Sequence, residues 1–163
     1  TGVAGSADGP AAEASFQGPL GIAWDETKEI LYVADYSGHS IRAIDRSQGS
    51  VSTVAGNGME GSADGIPGGL NQPSGLIVRD GHLLVTDTAN HTLRSWHPKT
   101  GLSTVLGKTG SGSSIGPGTG IPVSEATLTE PEALIAGQTG LYISVEYSVM
   151  HVPWEAFDLE EKP

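Results

Sequence analysis

Apolar residues along this chain come in short runs with partial alternation of apolar and polar positions, and Gly, Asp, Asn and Ser separate the runs. A period of two over so few residues predicts β-strands joined by turns, while the i, i+3, i+4 spacing of an amphipathic helix is missing. Strands are expected from Leu20 to Trp24, Ile30 to Ala34, Ser40 to Asp45 and Val51 to Ala55. A second set follows from Gly75 to Val78, His82 to Thr86, Thr92 to His97 and Leu102 to Leu106. A third is thinner, from Ala133 to Ala136, Leu141 to Val145 and Val149 to Trp154.

The sets are copies of one another. Gly5-Ser6-Ala7-Asp8-Gly9 recurs letter for letter as Gly61-Ser62-Ala63-Asp64-Gly65. Pro19-Leu20-Gly21-Ile22 is answered by Pro73-Ser74-Gly75-Leu76, and Leu31-Tyr32-Val33-Ala34-Asp35 by Leu83-Leu84-Val85-Thr86-Asp87. His39-Ser40-Ile41-Arg42 then matches His91-Thr92-Leu93-Arg94, and the third copy keeps Leu128-Thr129-Glu130-Pro131 and Leu141-Tyr142-Ile143. Four short strands per repeat of roughly fifty residues is the pattern of one β-propeller blade. The fold expected is all-β, a partial propeller of four-stranded antiparallel blades. Blade 1 covers about 1–56, blade 2 about 57–107 and a partial blade 3 about 108–154, with 155–163 as an acidic C-terminal extension.

The second copy reads Ala55-Gly56-x-Gly58-x-x-Gly61-x-x-Asp64-Gly65, then Pro73-x-Gly75, then Leu83-x-Val85-x-Asp87-x-x-Asn90-His91-x-Leu93-Arg94, and this resembles the NHL repeat. The resemblance implies a propeller, commonly six-bladed, that serves as a binding scaffold for varied partners. The first copy departs from the signature at Gly38, where Asn is usual. The third reads Val145-Glu146-Tyr147-Ser148-Val149 where Asp and Asn-His would stand. With two full blades and one partial blade, either further blades of a longer parent chain or a second copy is expected to complete the ring, because an open propeller leaves edge strands and sheet faces uncovered.

Composition narrows the partners. The 24 Gly and 10 Pro among 163 residues fit a turn-rich β-fold and argue against a helical bundle. Eight Lys and Arg against 19 Asp and Glu give a net charge of −11, and the basic residues never cluster. Nucleic acid and anionic membrane surfaces both require a basic patch, so neither is expected as a partner. No apolar stretch approaches the roughly 18 residues of a membrane-spanning helix, and no targeting segment follows Thr1. The absence of Cys removes disulfides and thiolate sites and fits either redox compartment, so localisation stays unknown.

Candidate chemistry is sparse. Gly56-Asn57-Gly58-Met59-Glu60-Gly61 satisfies G-x-G-x-x-G, but Gly65, Pro67, Gly68 and Gly69 follow where a dinucleotide site needs a helix. No strand-Ser-helix elbow and no Ser, His and Asp set can be assembled. Asp35 and Asp87 end the second strand of their blades and are expected to accept bonds from the backbone of the tight turn that follows. With Gly5, Asp8, Gly9, Arg42, Gly61, Asp64, Gly65 and Arg94 they form the structural repeat motif. His39 and His91 could in principle hold Zn, and acidic turn residues Ca, but turn and strand roles fit them better, and neither metal nor cofactor is expected. Asn90-His91-Thr92 is also an N-x-T sequon.

Strand direction alternates within a blade, so the loop leading into the first strand and the hairpin joining the second to the third emerge at one end. That face is expected to carry the loops Gly56 to Gln72 and Gly107 to Glu130, with Tyr36, His39, Thr88, Asn90, His91 and Tyr147 as candidate binding residues. The expected role is non-catalytic binding of protein or peptide there. The alternative is part of a six-bladed enzyme, a metal-assisted hydrolase or lyase with Ca or Zn in its central channel.

Overall fold

A computed structural model of the chain describes residues 2–110 and 126–157. The 111–125 part of the loop from Gly107 to Glu130, and 158–163 of the expected acidic extension, lie outside the described residues. No α-helix occurs among the described residues; three single 3-10 turns, Tyr36–Gly38, Thr88–Asn90 and Trp154–Ala156, punctuate antiparallel strands.

The first sheet contains β1 (Gly9–Pro10), β2 (Pro19–Asp25), β3 (Ile30–Asp35), β4 (Ser40–Asp45) and β5 (Ser50–Gly56), in the spatial order β1-β5-β4-β3-β2. The second runs β6 (Pro73–Arg79), β7 (His82–Asp87), β8 (Thr92–His97) and β9 (Gly101–Gly107) in sequence order. The third holds β10 (Leu134–Ala136), β11 (Gly140–Val145) and β12 (Ser148–Pro153). Four strands were expected in the first sheet and five are present. The added one is Gly9–Pro10, registered as Gly9 against Val51, and Pro is tolerated there because it lies on an edge. The repeat reproduces this contact in reduced form, as a single antiparallel bridge between Gly65 and Leu102.

The sheets stack face to face in chain order, with β6 beside both β2 and β10. Because side chains alternate across a strand, each middle face contributes one half of an interface. Tyr32, Ala34, Ile41 and Ala43 of the first sheet meet Leu76, Leu83, Val85, Trp96 and Leu102 of the second. Tyr32 and Trp96 pack edge-on with ring centroids 5.8 Å apart. The second sheet's other face sends Leu84, Leu93 and Leu106 against Leu141, Ile143, Val145, Met150 and Val152 of the third. Each Leu, Ile, Val or Met among them contributes about 1.5–3 kcal/mol on burial, so the interfaces between sheets are the core of the molecule.

The repeat extends to irregularities. Opposite Ile41 and Arg42 the partner strand carries one extra residue, Val54, and opposite Leu93 and Arg94 it carries Val105. A bulge re-aims the residues beside it. Here it stands next to the arginine of each repeat.

Candidate functional site

Arg42 and Arg94 are fully buried, and each meets the need of a buried guanidinium for acceptors through its two Nη groups, while its Nε has no partner. Arg94 Nη2 donates to Asp64 Oδ1 at 2.7 Å and to the Ala63 carbonyl, while Nη1 donates to Asp87 Oδ2 at 2.9 Å and to the Gly69 carbonyl. Arg42 repeats the set with Asp8 Oδ1 at 2.7 Å, the Ala7 and Ser15 carbonyls, and Asp35 Oδ2 at 3.5 Å. The arginine therefore ties the Gly-rich lead-in loop to the strands it precedes. Asp8 completes the tie by accepting from Thr53 N–H at 3.0 Å and Thr53 Oγ1 at 3.0 Å.

Asp35 and Asp87 differ from expectation. The backbone N–H groups they accept lie upstream, not in the turn that follows, and from that turn only the Asn90 side chain reaches Asp87. Asp35 accepts from Gln17 N–H and, at 2.6 Å, from Gly18 N–H. Asp87 accepts from Asn71 N–H at 2.7 Å and from Asn90 Nδ2 at 2.8 Å. The reason is geometric: the end of the second strand abuts the start of the first, where backbone donors have no ladder partner. Burial pushes the Asp87 carboxyl up despite the Asn90, Asn71 and Arg94 bonds that pull it down. Asp8 goes the other way. Burial raises it, but the Thr53 and Arg42 contacts together outweigh that and hold it below the ordinary value.

The candidate binding residues separate into three groups. Thr88 and Asn90 are buried, which corrects their assignment to an accessible face. Asn90 Nδ2 donates to the Gly61 carbonyl at 2.7 Å, leaving no room for a glycan at the sequon. Thr88 Oγ1 sits 2.7 Å from both Ser74 Oγ and the Pro131 carbonyl. His39 and His91 are half-buried at left-handed φ of 46° and 58°, and each Nδ1 accepts a backbone N–H from the next sheet's lead-in loop, Gln72 at 3.3 Å and Glu130 at 3.1 Å. Only Tyr36 and Tyr147 present themselves. Tyr36 is half-buried and donates to Gln72 Oε1 at 3.2 Å, while Tyr147, on the β11–β12 turn, is 90% exposed.

Between the starts of β2, β6 and β10 lies a cavity of about 540 Å³, bordered by Tyr36, Leu20, Ile22, Ser74, Glu132 and Leu134. Except for Tyr36, sequence reasoning missed these residues. The available signal was the Pro-x-Gly frame, whose middle position varies from Leu20 to Ser74 to Glu132 in the aligned Pro131-Glu132-Ala133. Among the described residues, no three His, Asp or Glu side chains gather in a way that could hold a metal ion.

Antiparallel sheets stacked by their faces, with their first strands side by side, define a segment of a β-propeller. A sequence profile of the NHL repeat matches residues 70–94, the stretch that holds Asp87, Asn90, His91 and Arg94. The human protein "NHL repeat-containing protein 2" is 36% identical over 107 residues, covering 63% of this chain and 15% of that protein. A Bacteroides thetaiotaomicron protein of unknown function superposes with a TM-score of 0.67 at 25% identity, over 78% of this chain and 32% of its own. A streptogramin B lyase superposes with a TM-score of 0.51 at 15% identity, over 85% of this chain and 52% of its own; at that identity the likeness shows the fold alone. The chain thus spans a small part of its relatives' length. Residues 70–94 are thus an NHL repeat, and over 63% of its length the chain is similar to an NHL repeat-containing protein.

Proposed function

We propose that this chain is a non-catalytic scaffold that binds protein or peptide on the face where the lead-in loops and the β3–β4 and β7–β8 turns emerge. The observation that carries the reading is the 540 Å³ cavity on that face, a volume within the range of sites that seat a ligand group. Leu20, Ile22 and Leu134 supply apolar wall, and Tyr36 and Glu132 supply polar positions. The groups that would otherwise do chemistry there, His39, His91, Asp35 and Asp87, are engaged with backbone N–H groups. With Glu132 at the rim and a net charge of −11, the fitting occupant is an apolar side chain on a neutral or basic peptide.

The test is selection from a peptide display library against the 163-residue chain, followed by titration. Tyr36→Ala and Glu132→Gln should each weaken a selected peptide about tenfold, a loss of roughly 1.4 kcal/mol, with the thermal midpoint unchanged. Peptides that bind both variants as they bind wild type would sink the reading. The catalytic alternative is separated in the same preparation: stoichiometric Ca or Zn together with hydrolytic or lyase turnover would replace the scaffold.

A further inference from the structure

Within this chain, two joints between blades are built alike. Call the face toward the preceding blade leading and the face toward the following blade trailing. At the first joint a Cβ built on Gly21 would fall onto the Ser74 carbonyl oxygen of blade 2. At the second, one built on Gly75 would fall onto the Glu132 carbonyl oxygen of blade 3. Both approaches are well under the 3.0 Å that real Cβ atoms keep, so the Gly of Pro-x-Gly is required by backbone contact across the joint. Each joint also has a left-handed His on a 3-10 turn, His39 or His91, receiving the N–H of the residue before the next Pro. Those residues, Gln72 and Glu130, are themselves at positive φ of 56° and 42°.

Blade 3 has neither device on its trailing side. Ala133 stands at the Gly position, so a Cβ is present where a neighbour's carbonyl would have to come. Its hairpin closes with Val145 paired to Ser148 across Glu146 and Tyr147 alone, where blades 1 and 2 spend four residues and place the His. The leading side of blade 1, by contrast, keeps the apolar part of its half of the joint. Ile22 is 64% exposed where its counterpart Leu76 is 6% exposed against blade 1. Trp24 is exposed where Val78 packs. Before Pro19 stands Gly18, whose N–H is held by Asp35 Oδ1 at 2.6 Å; being glycine, it has access without strain to the left-handed φ that Gln72 and Glu130 hold.

We propose that like-blade docking in this chain is polar. The leading face of blade 1 receives the trailing face of a further blade of this repeat type, one with the bare Gly and the left-handed His. The trailing face of blade 3 does not serve as that partner. A ring of two copies would need two identical seams joining blade 3 of one copy to blade 1 of the other, and Ala133 with the short β11–β12 turn obstructs both. The docked blade would cover Ile22, which also borders the cavity, so the two readings share that one side chain.

The experiment compares the wild-type chain with Ala133→Gly and with a combined variant. The latter also has Glu146 and Tyr147 replaced by the four-residue sequence Tyr36 to His39. Sedimentation velocity reads association, and tryptophan emission reads burial of Trp24. The combined variant should pair at least about tenfold more tightly than wild type, with blue-shifted emission, and Ile22→Asp added to it should abolish the pairing. Should the longer graft not fold, Ala133→Gly alone must still tighten association. A wild-type chain that closes into a stable two-copy ring overturns the proposal, as does a folded variant that associates no better than wild type.

Discussion

Blades 2 and 3 share a strand plan and differ in what fills it. In blade 2 the last residue of β7 is Asp87, and two residues into β8 stands Arg94, joined to it at 2.9 Å. The corresponding places in blade 3, fixed by the last pair before the turn, hold Val145 and Met150. Both are buried in the apolar interface with blade 2. A buried ion pair and an apolar pair of similar bulk thus occupy one site, in line with the general finding that such pairs are replaceable together but not singly. The difference teaches what the arginine is for. Blade 2 has a long lead-in loop folded over its outer strand, and the guanidinium gathers the carbonyls of Ala63 and Gly69. Met150 gathers nothing and seals the interface.

The sharpest way to break this contrast is Arg94→Met alone. It leaves Asp87 buried without its cation and should cost about 3–5 kcal/mol, read by chemical denaturation. Adding Asp87→Val removes the uncompensated buried charge and should return part of that loss, the remainder reporting the Ala63 and Gly69 carbonyls left without the guanidinium; a double variant as unstable as the single one would refute the equivalence. Next in size, Met150→Ala should cost about 2–4 kcal/mol by opening a cavity, with no salt dependence. His91→Ala should cost about 1 kcal/mol by stranding the Glu130 N–H, whereas Tyr147→Ala, on the turn without such a bond, should stay within about 0.5 kcal/mol; equal effects at the two positions would erase the distinction between the turns.

A further small effect concerns pH. Asp8 is held below its ordinary value, so its contribution is present above the usual carboxylate range and lost as pH falls through its folded value. Asp87 is raised, so its contribution is present at acid pH and lost as pH climbs through its folded value. Asp8→Asn should flatten the acid side of the stability profile by less than about 1 kcal/mol, since half the Asp8 side chain is exposed and solvent screens the pair. An acid limb unchanged in the variant would show that Asp8 is not the group responsible.

Much of the fold was legible because the repeat is written in polar letters. Asp, Arg, His and Gly sit at constrained positions in blades 1 and 2, and the strands fall within a residue or two of where alternation puts them. Blade 3 was harder to read because Val145 and Met150 are interchangeable with many apolar residues, and because its turn is two residues shorter than the copies used to align it. The binding face was legible in outline only. Thr88 and Asn90 look accessible because they are polar and sit in a turn, yet both are spent on neighbouring carbonyls. Leu20, Ser74 and Glu132 were invisible since the middle of Pro-x-Gly carries no fixed chemistry, and only the convergence of three strands gives them a common wall.

The pairing of Gly9–Pro10 with β5 has a mechanical side. The run that leads into the innermost strand of blade 1 first grips the outermost one, and Gly65 with Leu102 repeats the grip in blade 2. Tension applied from the N-terminal side therefore reaches the outer edge of the blade before the inner edge. It loads the sheet as a buckled belt, with Arg42 as the pin that holds residues 7 and 15 against the strands. A blade so buckled is expected to yield to force as a unit, once the pin is drawn, instead of shedding its strands one after another, and single-molecule pulling would read that as one step per blade.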